Sequence, residues 1–468
     1  MKLTISPITR ISGLLSIDLF IDQSGIVTEA NVIGEQFRGF EAMMSGRKVT
    51  DAVYFTERIC GICSMAHGFT AARLVEKMYG IEPTPEMVLL QQAMLGAEFL
   101  QNHIRHFYLL ALPDYLDDGM IHQPSVPGGT QTEKSRFTGT QQKFLVEHYF
   151  AAMEASRKAH DMLAVFGGKI PHQHGLVASG VTVYPDADKR KQFLALLQQV
   201  QKFIFNIMLP DVYLLAEVYP DYLFIGSGPR RFISFGLFDP NLGGHFPSGI
   251  LDNKGLKSFQ PEEINESITF AWYEKTDSQT RPAPDKPFAY TWVKAPRYQG
   301  LAYEGGPLAR KLIASQSSGT NVGTTSTGTM ARLIARVEES AVISEWIGEW
   351  LKSLPEDGNY IVPLEKTVTM EAFQVNEAPR GPLLHAITAA DDTVASYNVI
   401  TPSNWNFSPK DENGERGPVE TALIRCKVNR KNPLEPGRII RSFDPCLSCA
   451  THFIDWHGTN KLTVNLSI

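Results

Sequence analysis

The sequence predicts an α+β chain, mostly α, folded as one large body. A central bundle of long helices is expected, with short peripheral β-strands and hairpins, and a metal pocket joining N- and C-terminal cysteine pairs. Three observations predict this. Apolar residues recur at helical spacing over several long stretches, whereas period-two alternation is confined to short ones. No linker rich in Pro, Gly or Ser divides the 468 residues, 43% of them hydrophobic, so residues 1–468 read as one domain. Two Cys-x-x-Cys pairs sit near opposite ends, Cys60/Cys63 and Cys446/Cys449.

The elements follow in order. Residues 14–35 alternate apolar and polar around Asp22–Gly25 and read as a β-hairpin. Residues 50–79 read as helical around the first cysteine pair, with Gly80 as the stop. Thr84 before Pro85 is a strong helix start, and the helix it opens runs to about Leu112 with an apolar surface that predicts burial. Residues 113–140 read as a polar loop; further helices fit 141–166, 186–209 and 329–353. The polar stretch 253–287 reads as a surface excursion with short strands, 406–419 as a loop, and the tail KLTVNLSI as strand-like.

Composition excludes several classes. The net charge is −6 with no basic run or basic–aromatic stripe, so nucleic-acid binding is not expected. No apolar run approaches the ~18–20 residues a membrane helix needs. MKLTISPITR lacks the apolar centre of a signal peptide. Five cysteines in this pattern do not form an extracellular disulfide framework, and Cys426 is expected as a buried free thiol.

A fold that unites the two pairs makes a four-thiolate pocket, which selects thiophilic transition metals over magnesium or calcium. Zinc ribbons place their pairs about 15–20 residues apart because the metal holds a small unit together. Here 382 residues separate Cys63 from Cys446. A chain this long does not need a zinc staple, so a reactive or redox metal is the better reading. Structural zinc and a disulfide are the alternatives.

The flanking residues carry a resemblance. RICGIC with His67, DPCLSCATH near the C-terminus, TRISG (9–13), FRGFE (37–41), NHIRHFY (102–108), FGGKIPH (166–172), YTWVKAPRYQG (290–300), GPLAR (306–310), EAPRG (377–381), TPSNWNFSP (401–409) and ETALI (420–424) stand in order along nearly the whole chain. Together they resemble the large (catalytic) subunit of nickel–iron hydrogenases. The resemblance implies an oxidoreductase that splits H2 heterolytically, in the uptake direction, at a nickel–iron centre. Cys60 and Cys446 would bind nickel terminally, and Cys63 and Cys449 would bridge nickel and iron, with carbon monoxide and cyanide on the iron. A terminal thiolate, Cys446, would serve as base.

Further roles follow from the same match. Arg380 would sit over the open side of the metals, with Asp444 holding its guanidinium by a charge-assisted hydrogen bond. Pro402 and Ser403 would line the diatomic ligands, the Ser403 hydroxyl donating to a cyanide. His67, one helical turn past Cys63, would donate to its sulfur. Glu41 and His452 would hold a separate magnesium ion completed by waters. His172 and His174 read as structural or interface-lining, since no cysteine or carboxylate cluster accompanies them. No cysteine remains for iron–sulfur clusters, so electrons would leave through an iron–sulfur small subunit, giving a heterodimer. A maturation endopeptidase and a chaperone are expected, because residues 453–468 match in length an extension cut after His452. The location implied is cytoplasmic, or periplasmic and membrane-associated if a partner carries the signal.

Two positions depart from the family pattern. The usual TRIEG glutamate, the expected first proton acceptor, is Ser12 here, and a hydroxyl can relay a proton but not store one. A common aspartate is Asn102, which is expected to deprive Arg380 of a partner. Other readings of the same residues are an H2 sensor, a non-catalytic relative and an unmatured precursor.

Overall fold

A computed structural model describes residues 1–117, 119–121, 134–276, 279–319, 326–355, 357–364, 367–429 and 433–450. The expected hairpin is present as β2 (Leu15–Ile21) and β3 (Val27–Gly34), after a first strand β1 (Lys2–Ile5). The three form an antiparallel sheet in the order β1-β2-β3. Asp22 makes the turn, its carboxylate accepting from Ser24 and Ile26 N–H at 2.8 and 2.9 Å.

Over 50–79, expected to be helical, the chain forms α2 (Ala52–Glu57) and α3 (Ser64–Tyr79), preceded by α1 (Phe40–Met44). The cysteine pair occupies the turn between α2 and α3. The physical reason is that both sulfurs must face one side: Ile62 N–H caps the Cys60 sulfur at 3.3 Å, and Cys63 sits at the N-cap of α3 with φ −126°. Gly80 ends α3 in the left-handed conformation, as expected.

Helix α4 (Pro85–Arg105) starts at Thr84, whose hydroxyl accepts from Met87 N–H at 3.2 Å. A wider π-turn carries it on to Ala111, nearly the expected length. Helices α5 (Gly139–Gly167), α6 (Ala187–Phe203) and α7 (Leu209–Val218) follow, with the hairpin β4 (Leu176–Val177) and β5 (Gly180–Val181) between α5 and α6. A π-turn joins α6 to α7, so the segment expected to stop near 209 continues.

The middle of the chain forms β6 (Phe232–Leu237), β7 (Phe246–Asp252), β8 (Gly255–Lys257), β9 (Ile264–Ser267), β10 (Tyr273–Thr276), β11 (Gln279–Pro282) and β12 (Ala295–Tyr298); β8 to β11 are the short strands expected over 253–287. Helices α8 (Pro307–Ser317) and α9 (Thr329–Lys352) precede the longest sheet, β13 (Met370–Ala378), β14 (Gly381–Ala390) and β15 (Thr393–Ile400). That sheet did not announce itself in the sequence because its central strand β14 is buried on both faces for most of its length, which blurs the alternation. Short helices α10 (Pro402–Asn406), α11 (Pro418–Leu423), α12 (Leu434–Ser442) and α13 (Leu447–Ala450) finish the described chain. The tail 453–468 lies outside the described residues.

Helix α4 packs on α5 and α9, α5 on α6, and α3 on the β13–β15 sheet. The largest core joins these helices and contains all four paired cysteines. A second core lies between the β1–β3 sheet and α11, α12 and α13, and holds Cys426, buried as expected. Among the described residues no helix is long and apolar enough to cross a membrane.

Candidate metal centre

Two loops build the site. One is the turn between α2 and α3 with Cys60 and Cys63; the other is the segment from α12 into α13 with Cys446 and Cys449. Ser12 and Gly13 fix the second loop to the N-terminal segment, and Arg38 ties the two loops to each other. Ser12 forms a parallel bridge with Cys446, its N–H donating to Pro445 O at 3.2 Å and its carbonyl accepting from Leu447 N–H at 2.7 Å. Gly13 follows at φ +86°, and a Cβ there would meet Ser448 N at 2.4 Å, so only glycine permits this approach. Arg38, in FRGFE, donates to Ile59 O and Arg58 O on the first loop and to Ser448 O on the second.

The four cysteines are buried, and their sulfurs lie within 4.8 Å of one another. Cys60 is 3.4 Å from Cys446, Cys63 is 3.2 Å from Cys449, and Cys446 is 2.9 Å from Cys449. Hydrogen bonds from the other three sulfurs pull the Cys60 thiol well below its usual range. The same contacts push Cys63 up, and burial pushes Cys449 up. Four thiolates cannot all be charged in so small a volume without a cation. Arg380 supplies one positive charge, and a metal must supply the rest. Tetrahedral thiolate ligation at about 2.3 Å per bond needs sulfur separations near ~3.8 Å, which an outward shift of a few tenths of an ångström provides. The residues therefore fit a transition metal.

Arg380 and Asp444 meet as an ion pair, without the hydrogen bond expected between them. Arg380 lies in the two-residue turn of the β13–β14 hairpin, between the paired Ala378 and Gly381. Its Nε is 3.1 Å from Asp444 Oδ1. Burial alone would raise the Asp444 carboxyl, but Arg380, His106 and Arg336 hold it down at about 2. The expected loss at Asn102 does not occur. Asn102 Oδ1 accepts from Arg380 at 2.9 Å while its Nδ2 donates to Ile62 O at 2.8 Å, inside the first cysteine loop. The amide thus has a donor for that carbonyl, which a carboxylate would lack.

Pro402 opens α10, capped by Thr401 and Asn404. Ser403 Oγ accepts from Cys446 N–H at 3.0 Å, so its own proton is left to donate elsewhere. Ser12 Oγ meets Ser448 Oγ at 3.3 Å. His67 is fully enclosed, and burial lowers its pKa to about 4, so the ring is neutral. The partner of its Nδ1 is His385 Nε2 at 3.1 Å. Glu41 accepts from Lys294 Nζ at 3.1 Å and from Val399 N–H at 3.1 Å. His452 lies outside the described residues. His172 Nδ1 bonds to Glu57 O at 3.0 Å, in keeping with a structural role.

Sequence reasoning did not single out Arg38, Lys294, His385, Tyr397, Glu57 or Glu98. Glu98 accepts from Met65 and Ala66 N–H at 2.6 and 2.9 Å, at the start of α3, and burial raises it to about 8. Glu57 is raised to about 9 by burial, its carboxyl packed against Gly68. A charged or hydrogen-bonding residue inside an apolar run was the available signal for Glu98 and His385.

Fold and site together define a thiolate-ligated transition-metal protein whose centre joins the two ends of the chain. The family model described as nickel-dependent hydrogenase matches residues 38–127 and 126–452. The chain is 32% identical to the periplasmic [NiFeSe] hydrogenase large subunit of Desulfomicrobium baculatum, over 99% of this chain and 97% of that one. It is 28% identical to the hydrogenase-2 large chain of Escherichia coli, over 99% of each. A solved [NiFeSe] hydrogenase of Dm. baculatum superposes with a TM-score of 0.90, covering 97% of this chain and 100% of that one. The Ni-Fe-Se hydrogenase of D. vulgaris Hildenborough gives the same TM-score at 32% identity. The chain belongs to the nickel-dependent hydrogenases, as a large subunit. It is an oxidoreductase acting on H2, and the four-cysteine cluster is its nickel–iron site.

Proposed function

We propose that this chain oxidises H2 at a nickel–iron centre that its four cysteines would hold: Cys60 and Cys446 would bind nickel, and Cys63 and Cys449 would be shared with an iron carrying carbon monoxide and cyanide. The observation that carries this is the buried sulfur quartet, with Asp444 of the Arg380–Asp444 ion pair two residues before Cys446. The metals supply the Lewis acidity that polarises H2 towards heterolytic cleavage. The chain supplies the rest. Cys446 Sγ takes the proton as base. Arg380, oriented by Asp444 and Asn102, fixes a positive charge over the pocket and keeps water from its open side. Ser403 holds the Cys446 backbone and directs its hydroxyl proton to a cyanide. His67 packs beside the cluster.

Glu41, with His452, would hold a magnesium ion; the support is a carboxylate lining a polar cavity of about 470 Å³. Residues 1–468 act as one domain, and 453–468 are a segment removed by a maturation endopeptidase after metal insertion with a chaperone. Electrons leave to an iron–sulfur small subunit. A periplasmic relative supports co-export with that partner, and a cytoplasmic home is the alternative.

Metal analysis and infrared spectroscopy of the complex test this. Nickel and iron with sharp bands of bound carbon monoxide and cyanide are expected. Zinc alone, or no diatomic bands in protein ending at His452, would overturn it.

A further inference from the structure

We propose that His67, His385 and Tyr397 form a proton relay between the cysteine cluster and the cavity at Glu41. The inference rests on the H2-oxidation reading above. H2 yields two protons and two electrons; the electrons pass to the iron–sulfur partner, and the protons must leave a buried pocket. At the position where a carboxylic acid is expected, Ser12 offers only a hydroxyl facing another hydroxyl.

The structure provides a hydrogen-bonded chain elsewhere, from His67 through His385 to Tyr397. His67 lies on α3 one turn beyond Cys63, and its backbone N–H donates to Cys63 O at 3.3 Å. Its Nδ1 is 3.1 Å from His385 Nε2, and His385 Nδ1 is 2.9 Å from the Tyr397 hydroxyl. The pairing of β14 with β15 sets this alignment. His385 stands opposite Val399 and Ile387 opposite Tyr397, so His385 and Tyr397 are diagonal neighbours on one face of the sheet. Both rings are enclosed, His385 at 0% exposure and Tyr397 at 6%. Tyr397 in turn lines a cavity of about 470 Å³ with Glu41, Glu266, Lys294 and Asn398.

A neutral imidazole has one donor and one acceptor nitrogen. A proton taken at His67 Nε2 releases one from Nδ1 to His385 Nε2. His385 Nδ1 then donates to the Tyr397 oxygen, and the Tyr397 O–H proton passes to water in the cavity. No atom leaves the chain; each N–H or O–H bond broken is matched by one formed, and every hydrogen bond reverses. On the cavity side the Glu41 carboxylate and the Asn398 carbonyl each accept from Lys294 Nζ at 3.1 Å.

The test uses the complex with its small subunit, comparing the parent with Tyr397→Phe and His385→Gln. Both variants are expected to keep nickel, iron and the infrared bands while H2 uptake falls about tenfold or more and the solvent isotope effect rises. Independently of turnover, 15N-histidine NMR is expected to show the hydrogen-bonded His67–His385 pair, with the His385 Nδ1 signal displaced in Tyr397→Phe. Parent turnover and isotope effect in metal-loaded variants, or an NMR spectrum without the histidine pair, would overturn the relay. A parent complex lacking nickel or diatomic bands would instead sink the hydrogenase reading on which the relay stands.

Discussion

Arg38 is the most exacting test of how the metal pocket is held. Its guanidinium reaches three carbonyls, two on the loop of Cys60 and Cys63 and one, Ser448 O, on the loop of Cys446 and Cys449. A hydrogen bond from a charged donor contributes roughly 1.5–3 kcal/mol. Arg38 is half-buried, so the lower end applies, and the single bond that spans the loops accounts for about 1.5 kcal/mol. Lysine keeps the charge but is a point donor without a planar fork, so Arg38→Lys cannot bind both loops at once. At about 1.4 kcal/mol per factor of ten, nickel retention is expected to fall roughly tenfold. Arg38→Ala strands three carbonyls and is expected to lose roughly 3–5 kcal/mol and most of its nickel. The assay is nickel per protein after dialysis against a chelator, with circular dichroism to check the fold. The helical signal should persist, because a core of this size does not depend on the metal. An Arg38→Lys complex that keeps nickel as the parent does would refute the reasoning.

Three other outcomes are expected. Ser403→Ala removes the acceptor of the Cys446 N–H, at a cost of about 1–3 kcal/mol, and should shift one cyanide band in the infrared spectrum. Glu57 binds its proton more tightly folded, at about 9, than at the ordinary 4.5. Its stabilisation is therefore full below pH 4.5 and is lost as pH rises through about 9. Glu57→Gln should flatten that decline, with a gain on the order of a few kcal/mol at pH 9 in chemical unfolding; parallel curves for the two proteins would count against burial as the cause. Gly13→Ala places a Cβ on Ser448 N and forces a positive φ on alanine, so metal loading and stability should both fall, by roughly 1–3 kcal/mol for the strain alone.

What the sequence by itself determined is local chemistry and periodicity. Thr84–Pro85, Gly80 and the alternation of 15–34 act through neighbours in the chain, and each forms the element its residues specify. The cysteine pairs were legible as metal ligands because a Cys-x-x-Cys turn aims two sulfurs to one side in any fold, and the motifs around Arg380, Asp444 and Ser403 gave their neighbourhood. The tertiary structure decided what depends on distant segments. The helical stretch expected across 50–79 breaks at the cysteines because the second loop must reach them. Asn102 retains Arg380 because an amide can accept from a guanidinium and donate to Ile62 O at once, a geometry no composition reveals. Arg38, Lys294, His385 and Tyr397 looked ordinary because their partners lie many residues away. Only packing of α3 against the β13–β15 sheet places His67 on His385, and only the strand register places Tyr397 beside His385. Residue type sets what a group can donate or accept; the fold sets what it meets.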